Sequence, residues 1–513
     1  MGDLRIVLGL VIVCLAPFAR GEELWEPDFE VSESYDALEK LAELEDEPVD
    51  LNRASLSDLL TIPWMTPLLA QEIIARRERV KAFASVDDLS SLPRMTDGLL
   101  ERLRPYLKPM GARPREKRFY PMNLLLRSRL QDARPVSEGY LGDSKKVNNR
   151  LRVEFGERVF LGLLSEKDSY ETSYCDFLAG YIQLQELGPL SQLVLGNYQL
   201  DFGEGLIFSR PVLITKSPDL VKGSERGLEP YTSTDENYFL FGGAFRMEVS
   251  RFDLIPFYSR ARLDAALDED GRVRNLYQSG YHRNQTELEK VNRLKEEVLG
   301  ARVALRRSDW LKIGLTGSRS RYSPAFSSEE DEYYSFSGTG YSLVGADFDL
   351  LLGGVEVFGE HGRSLGLGSG TVLGWVISLP PIDLSLLMRD YEDDFYSPRS
   401  GGFSDAEDEN ERGAFGAIGY RLSKSSKVRG YVDLFEHPRP AHQARFPRQG
   451  REIFGEVEHE PVKDLVLRVR YRSKGKEEST DIENGSRLLL HSREGYQFQV
   501  DWEESKKLSL RLR

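Results

Sequence analysis

The feature that most limits how this chain can fold is an alternation with a period of two. In Tyr496-Gln-Phe-Gln-Val-Asp-Trp502, an extended chain puts Tyr496, Phe498, Val500 and Trp502 on one face and Gln497, Gln499 and Asp501 on the other. Stretches of this kind recur from near Phe119 to the last residue, at 151–155, 180–187, 190–199, 239–249, 254–262, 300–306, 310–318, 343–352, 354–359, 372–379, 384–391, 414–422, 428–436, 454–459 and 465–472. Short junctions such as Gly188-Pro189, Gly353-Gly354, Pro380-Pro381 and Ser423-Lys-Ser-Ser426 alternate with long polar ones such as Gly203 to Glu236 and Asp264 to Val298. A run of about eighteen to twenty strands with that loop asymmetry predicts a mainly β fold, a large antiparallel transmembrane β-barrel with apolar residues toward lipid and polar ones toward the lumen. A soluble propeller also repeats hairpins, but no blade-like motif recurs here and a propeller leaves the loop asymmetry unexplained.

Composition narrows the setting. The 513 residues are 30% charged with a net charge of -14, and beyond the N-terminus no run of about 20 apolar residues is present to cross a bilayer as a helix. That charge argues against a chain built around nucleic acid, which asks for a basic face. Leu4-Arg-Ile-Val-Leu-Gly-Leu-Val-Ile-Val-Cys-Leu15 followed by Ala19-Arg20-Gly21 reads as a signal peptide, residues 1–21, cleaved before Glu22. Cys14 leaves with it, and Cys175 alone cannot form a disulfide within the chain. The mature chain then starts in the periplasm of a bacterium, with the barrel in its outer membrane and outer-membrane lipid as its surroundings.

Residues 22–47 read as an acidic amphipathic helix, with Leu38, Leu41 and Leu44 at helical spacing, and a linker. Residues 48–110 hold an internal repeat offset by thirty positions: Ser55-Leu-Ser-Asp-Leu59, Ile62-Pro63, Met65-Thr66 and Leu69 return as Ser85-Val-Asp-Asp-Leu89, Leu92-Pro93, Met95-Thr96 and Leu99. Each copy opens with a serine able to cap a helix, helped by an aspartate three residues on. Each continues through a proline turn into a second helix, with Leu69, Ile73 and Ile74 on its apolar side. Residues 111–117 form a basic linker, and 118–513 the barrel.

Leu51-Asn-Arg-Ala-Ser55, Ile62-Pro63, Ala70-Gln-Glu-Ile-Ile-Ala-Arg-Arg-Glu78, Phe83-Ala-Ser-Val-Asp-Asp-Leu89 and Leu92-Pro93 resemble the tandem helix-hairpin-helix domain of ComEA-type DNA receptors. That resemblance implies non-specific duplex binding through Gly-hydrophobic-Gly hairpins, where glycine lets backbone N–H groups approach phosphate. Trp64-Met65-Thr66 and Arg94-Met95-Thr96 stand at those hairpins instead, so the fold carries over and the glycine grip does not. The remaining candidates for DNA contact are those two triplets and the basic cluster Arg76, Arg77, Arg79 and Lys81, with Arg113, Arg115, Lys117 and Arg118 near the barrel. The alternative roles for the same residues are helix C-terminal charges, a basic collar at the inner membrane surface, and docking of a periplasmic protein partner.

A second resemblance spans nearly the whole chain. The hairpin pair without glycines, Gly196-Asn-Tyr-Gln-Leu-Asp-Phe-Gly-Glu-Gly-Leu-Ile207, Arg226 with Pro230-Tyr231 and Thr234-Asp-Glu-Asn237, and Gly280-Tyr-His-Arg283 look like an uncharacterised bacterial family of outer-membrane β-barrel proteins with a helix-hairpin-helix domain. It implies architecture and no particular activity. Within it Phe202, Gly203, Glu204 and Gly205 end a strand and open the longest loop, either folding inward as a pore loop or marking a strand end. Gln285–Glu297 reads as a helix in the next long loop, placed to cap the barrel. The acidic stretches Ser328–Tyr333 and Asp405–Glu411 read as solvated loop tips, with divalent-cation bridging as the alternative.

The six histidines show no metal-ligand spacing, and neither a phosphate-cradling loop nor a nucleophile elbow is present. Ser279 near His282 is the one weak Ser–His pair, so no catalytic residue, metal ligand or cofactor is assigned and no enzyme is expected. The functional expectation is a porin-like or channel-like barrel whose periplasmic module docks a partner or gates the pore. The alternatives are a DNA-binding or DNA-uptake component and a structural scaffold. The strand count falls at about nineteen, whereas single-chain bacterial barrels have even numbers; an open edge and a C-terminally truncated chain are the expectation that follows.

Overall fold

The structure is a computed structural model that describes most of residues 48–512. Outside the description lie 1–43, 110–121, 133–138, 210–215, 219–224, 328–335, 406–409, 441–445 and shorter stretches, several of them in the N-terminal module. The expected signal peptide, most of the acidic helix, the basic linker and the acidic stretch at 328–333 fall there.

The N-terminal module is tied by a parallel pair, β1 (Val49–Asp50) against β2 (Leu107–Lys108). Between them run helix α1 (Pro67–Val80) and a 3-10 turn at Val86–Ser91. Proline opens α1, where its missing N–H costs nothing, and Leu69, Ala70 and Ile73 are buried as their spacing requires. The second repeat starts as expected: Ser85 Oγ accepts from Asp87 N at 3.1 Å while Asp88 accepts from Ser85 N, a reciprocal cap. The element it opens is a 3-10 turn and not the expected α-helix. Asn52 joins the two halves by accepting from Phe83 N at 2.7 Å and donating to Phe83 O at 3.0 Å. Leu51, Leu59, Ile62, Leu89, Leu92 and Leu103 pack in the single core these contacts enclose.

The rest is one sheet closed on itself. Its strands are β3 (Asn123–Asp132), β4 (Lys145–Phe155), β5 (Val159–Lys167), β6 (Phe177–Leu187), β7 (Leu190–Asp201), β8 (Gly227–Pro230), β9 (Leu240–Val249), β10 (Phe252–Leu263), β11 (Ala265–Leu267), β12 (Val273–Leu276), β13 (Leu294–Ser308), β14 (Leu311–Phe326), β15 (Gly338–Leu352), β16 (Val355–Ser364), β17 (Ser369–Leu379), β18 (Ile382–Tyr391), β19 (Glu411–Ser423), β20 (Ser426–His437), β21 (Arg448–Val462), β22 (Leu465–Ile482), β23 (Gly485–Ser505) and β24 (Leu508–Leu512). Setting aside the short loop strands β8, β11 and β12 leaves nineteen staves among the described residues. The odd count therefore stands. The open edge does not, because β24 lies beside β3 in the closed order. Consecutive staves pair antiparallel throughout, and an odd number of such staves makes the seam between β24 and β3 parallel.

Alternation sets the two faces. On β18, Leu384, Leu386 and Met388 point outward, with Leu386 50% and Met388 58% exposed, while Leu387, Arg389 and Tyr391 are buried inside. Leu124, Leu299, Leu315, Leu434 and Phe498 continue the apolar outer face around the sheet. Such a face suits hydrocarbon, and the paired strand edges leave no exposed backbone row in it.

Four expectations are corrected. β5 was missed: Val159-Phe-Leu-Gly-Leu-Leu164 is apolar on both faces because Leu164 packs inward on Phe177 and Ala179. The helix expected over Gln285–Glu297 is a single turn, α2 (Gln285–Leu288), and Leu294–Glu297 already belongs to β13. The short-long alternation is not strict, since residues 365–368 and 483–484 are short connections at the long-loop end. Asp405 and Glu411 are not at a solvated tip; their carboxylates are buried.

Two expected outcomes follow. Leu386→Arg, on the lipid face, should destabilise the barrel by about 2–4 kcal/mol, read from guanidinium unfolding in lipid vesicles. Asn52→Ala should weaken the module by roughly 1–3 kcal/mol by leaving the Phe83 amide without its acceptor, read as faster proteolysis of the segment before the barrel.

Candidate functional site: an occupied lumen

The inner face of the barrel is charged where the outer is apolar, and its charges are matched across neighbouring strands. Arg302 on β13 forms a two-pronged pair with Asp347 on β15, at 2.6 and 2.9 Å, and donates to Thr316 on β14 at 3.0 Å. Arg389 on β18 bonds Glu411 on β19 and, at 2.8 and 3.2 Å, Asp433 on β20. Further round, Arg470 and Arg429 share Glu456, Arg472 and the Tyr431 hydroxyl share Glu452, and Arg468 joins Glu458 to Asp501. Register makes these pairings: Phe415 on β19 lies opposite Leu387 on β18 and Asp433 on β20, so inward positions recur every second residue on each strand. In a wall poorly supplied with water, an unpaired member would cost several kcal/mol, roughly 3–5.

Two loop segments enter this space. The first begins at Phe202, the site singled out from the sequence. Gly203 and Gly205 have φ of 59° and 86°, conformations that side chains resist, and they turn the chain inward. Glu204 N and Leu206 N then both donate to one carboxylate oxygen of Glu360, on the inner face of β16, at 2.7 and 3.1 Å. Phe202, Leu206 and Ile207 are fully buried. Space for Ile207 comes from glycines on the wall: a Cβ at Gly345 or Gly362 would stand 2.7 or 3.0 Å from it.

The second segment was not anticipated. Residues 395–401, from the loop between β18 and β19, pack against the first. Gly401 N donates to Gly205 O at 2.9 Å, Ser209 N to Arg399 O at 2.8 Å, and Ser397 Oγ to Leu206 O at 2.7 Å. Arg399 grips Glu296 of β13 with two hydrogen bonds of 2.8 and 2.6 Å, which ties the segment to a distant part of the wall. Further along, Asp405 receives three lysines: Lys474 at 2.8 Å, Lys476 at 3.1 Å and Lys216 of the first loop at 3.3 Å. A sequence signal existed in Phe395-Tyr-Ser-Pro-Arg-Ser-Gly-Gly-Phe403, whose three aromatic residues are out of place in a solvated loop.

A second polar cluster sits in the long loops, outside the strands. His282 lies between Asp176 and Asp264, with Glu171 and Glu236 beside it. Burial opposes the charge on His282, yet the hydrogen bonds to Asp176 and Asp264 raise its pKa to about 10. Burial lifts Glu236 to about 9; His282 pulls the other way, and Asp176 and Glu171 add to the rise. Both ring nitrogens of His282 are taken by Asp176 and Asp264, while Ser279 Oγ accepts from Tyr281 N at 3.3 Å, so the weak Ser–His pairing does not form.

In the N-terminal module the DNA-contact candidates separate. Met65 and Met95 are buried at the turns, their N–H groups bonded to Ile62 O and Leu92 O, which removes their side chains from any contact surface. Arg77 is spent inside the fold, its Nη1 donating to Ala54 O at 2.7 Å and Leu51 O at 3.2 Å. Arg76 is half-buried, and Arg79 and Lys81 are exposed. Trp64, Thr66, Arg94 and Thr96 lie outside the described residues.

Residues 45–108 match the family described as helix-hairpin-helix motif. No curated protein sequence matches the chain. Among solved structures, Pseudomonas aeruginosa OccK3 (OpdO) aligns over 73% of this chain and 94% of its own at 13% identity, with a TM-score of 0.35. Pseudomonas aeruginosa OpdQ aligns over 76% and 96% at 10% identity with a TM-score of 0.37, and OmpT, an outer membrane protein of Vibrio cholerae, over 73% and 95% at 10% identity with a TM-score of 0.25. Likeness at that level carries nothing about what this chain does.

Proposed function

We propose that this protein is a channel-type β-barrel of the bacterial outer membrane whose lumen is narrowed by its own loops, with the helix-hairpin-helix module on the periplasmic side docking a partner or gating the pore. The observation that carries the reading is the inward turn at Phe202–Gly205, fastened to Glu360 and backed by 395–401. A scaffold needs only a closed outer surface. It has no use for wall glycines that admit a loop or for a carboxylate that holds one. The orientation follows from loop length: β3 starts at the end that carries most of the short turns, the periplasmic end in barrels of this kind. Among the described residues the lumen offers charged and polar groups to a solute, and passage is the activity assigned to it.

DNA binding is the second reading, favoured by the family match over residues 45–108. With Met65, Met95 and Arg77 committed to the fold, it rests on Arg76, Arg79 and Lys81 among the described residues.

Full-length protein reconstituted in planar bilayers should give discrete conductance steps. Glu360→Ala, which leaves the Glu204 and Leu206 amides without their acceptor, should raise the unitary conductance or its fluctuation. Silence from both proteins would favour the scaffold. Titration of the protein with duplex DNA at low and moderate salt tests the second reading: binding that weakens steeply with salt would favour it, and no binding even at low salt would sink it.

A further inference from the structure

The outer-loop cluster around His282 has a geometry that the channel reading does not use. Its members come from three loops: Glu171 and Asp176 between β5 and β6, Glu236 between β8 and β9, and Asp264 and His282 in the connection from β10 to β13. Glu171 and His282 are 2% and 5% exposed, while Asp176 and Glu236 are half-buried and leave a way in from solvent. Metal-ligating atoms of Glu171, Asp176 and His282 all lie within 4.8 Å of one another.

The two ring nitrogens of His282 are in different situations. Nε2 is 2.6 Å from Asp264 Oδ2, and Asp264 is itself held by Asn292 N, which donates to Oδ1 at 2.7 Å. An aspartate so anchored keeps the proton on Nε2 and turns the Nδ1 lone pair the other way. Nδ1 then meets Asp176 Oδ2 in close contact, with Glu171 beside it. A positive charge stands between that nitrogen and the carboxylate oxygen, and either a proton or a metal ion supplies it. Backbone amides preset Glu171: its Oε2 accepts from Asp168 N at 2.8 Å and its Oε1 from His282 N at 3.0 Å. Glu236 stands beside the group, where burial favours its neutral carboxyl.

We propose that Nδ1 of His282 and the carboxylates of Asp176 and Glu171 form a binding site for one divalent transition-metal ion, with Asp264 as the outer carboxylate that orients the imidazole. One nitrogen and several carboxylate oxygens suit zinc or manganese better than calcium, which takes oxygen ligands alone. The ion would clamp two outer loops together above the barrel and replace the Nδ1 proton, which passes to solvent.

Zinc is the probe. Folded full-length barrel in detergent, dialysed free of metal and titrated against a chromophoric chelator, should bind one zinc ion per chain. His282→Ala and Asp176→Asn should abolish that binding, Asp264→Asn should weaken it about 10–100-fold, and His491→Ala should leave it unchanged. Heat-modifiable migration on gels establishes that each variant is folded. On the unaltered protein, zinc should slow proteolytic cleavage in the loop holding His282, a readout that needs no variant. Failure of the folded protein to bind zinc, equal binding by His282→Ala, or cleavage indifferent to zinc would overturn the assignment.

Discussion

Every second residue of a closed barrel points into its lumen, and the rest of this structure follows from how those inward positions are satisfied. The outward residues meet an apolar surrounding and need only be apolar. The inward ones carry charges that must find partners across the sheet, as Arg302 finds Asp347 and Arg389 finds Glu411 and Asp433. Exposed pairs of this type contribute little, but buried ones are costly to break on one side only. The lumen wall is therefore constrained as a network, and its arginines hold register as firmly as an apolar core would.

The two entering segments extend the same logic. Backbone carried into the barrel needs acceptors and donors there, because a buried N–H without a partner costs about 1–3 kcal/mol. Glu360 supplies the acceptor for the first segment, and the carbonyls of Gly205 and Arg399 supply acceptors where the segments meet. Room comes from residues without side chains: Gly345 and Gly362 leave the volume that Ile207 occupies. Charge, backbone satisfaction and volume thus agree on an occupied lumen, a consistency across levels that sequences folding to one structure show.

Much of the architecture was legible in the sequence, because a period of two is a local property. Tyr496–Trp502 declares its two faces without reference to any other strand, and Gly188-Pro189 marks its hairpin alone. The inward turn at Phe202–Gly205 was visible as an alternative, since glycines there permit it without requiring it. What stayed hidden depends on partners distant along the chain. Arg399 and Glu296 are 103 positions apart, and closure of the sheet brings them together. Asp405 reads as a solvated acid until Lys216, Lys474 and Lys476 are known to surround it. β5 was lost because both its faces are apolar, which erases the alternation. His282 showed no metal-ligand spacing because its neighbours come from other loops, so no spacing within one segment could have marked it.

The inserted segment at 202–206 is the hinge of the functional account, and amide hydrogen exchange on the folded barrel tests it most directly. The amides of Glu204 and Leu206, each donating to Glu360 inside the lumen, should exchange as slowly as those of the neighbouring strands, and Glu360→Ala should speed them selectively. Exchange at the rate of an open, solvated loop in the unaltered protein would contradict the occupied lumen and with it the channel reading built on it.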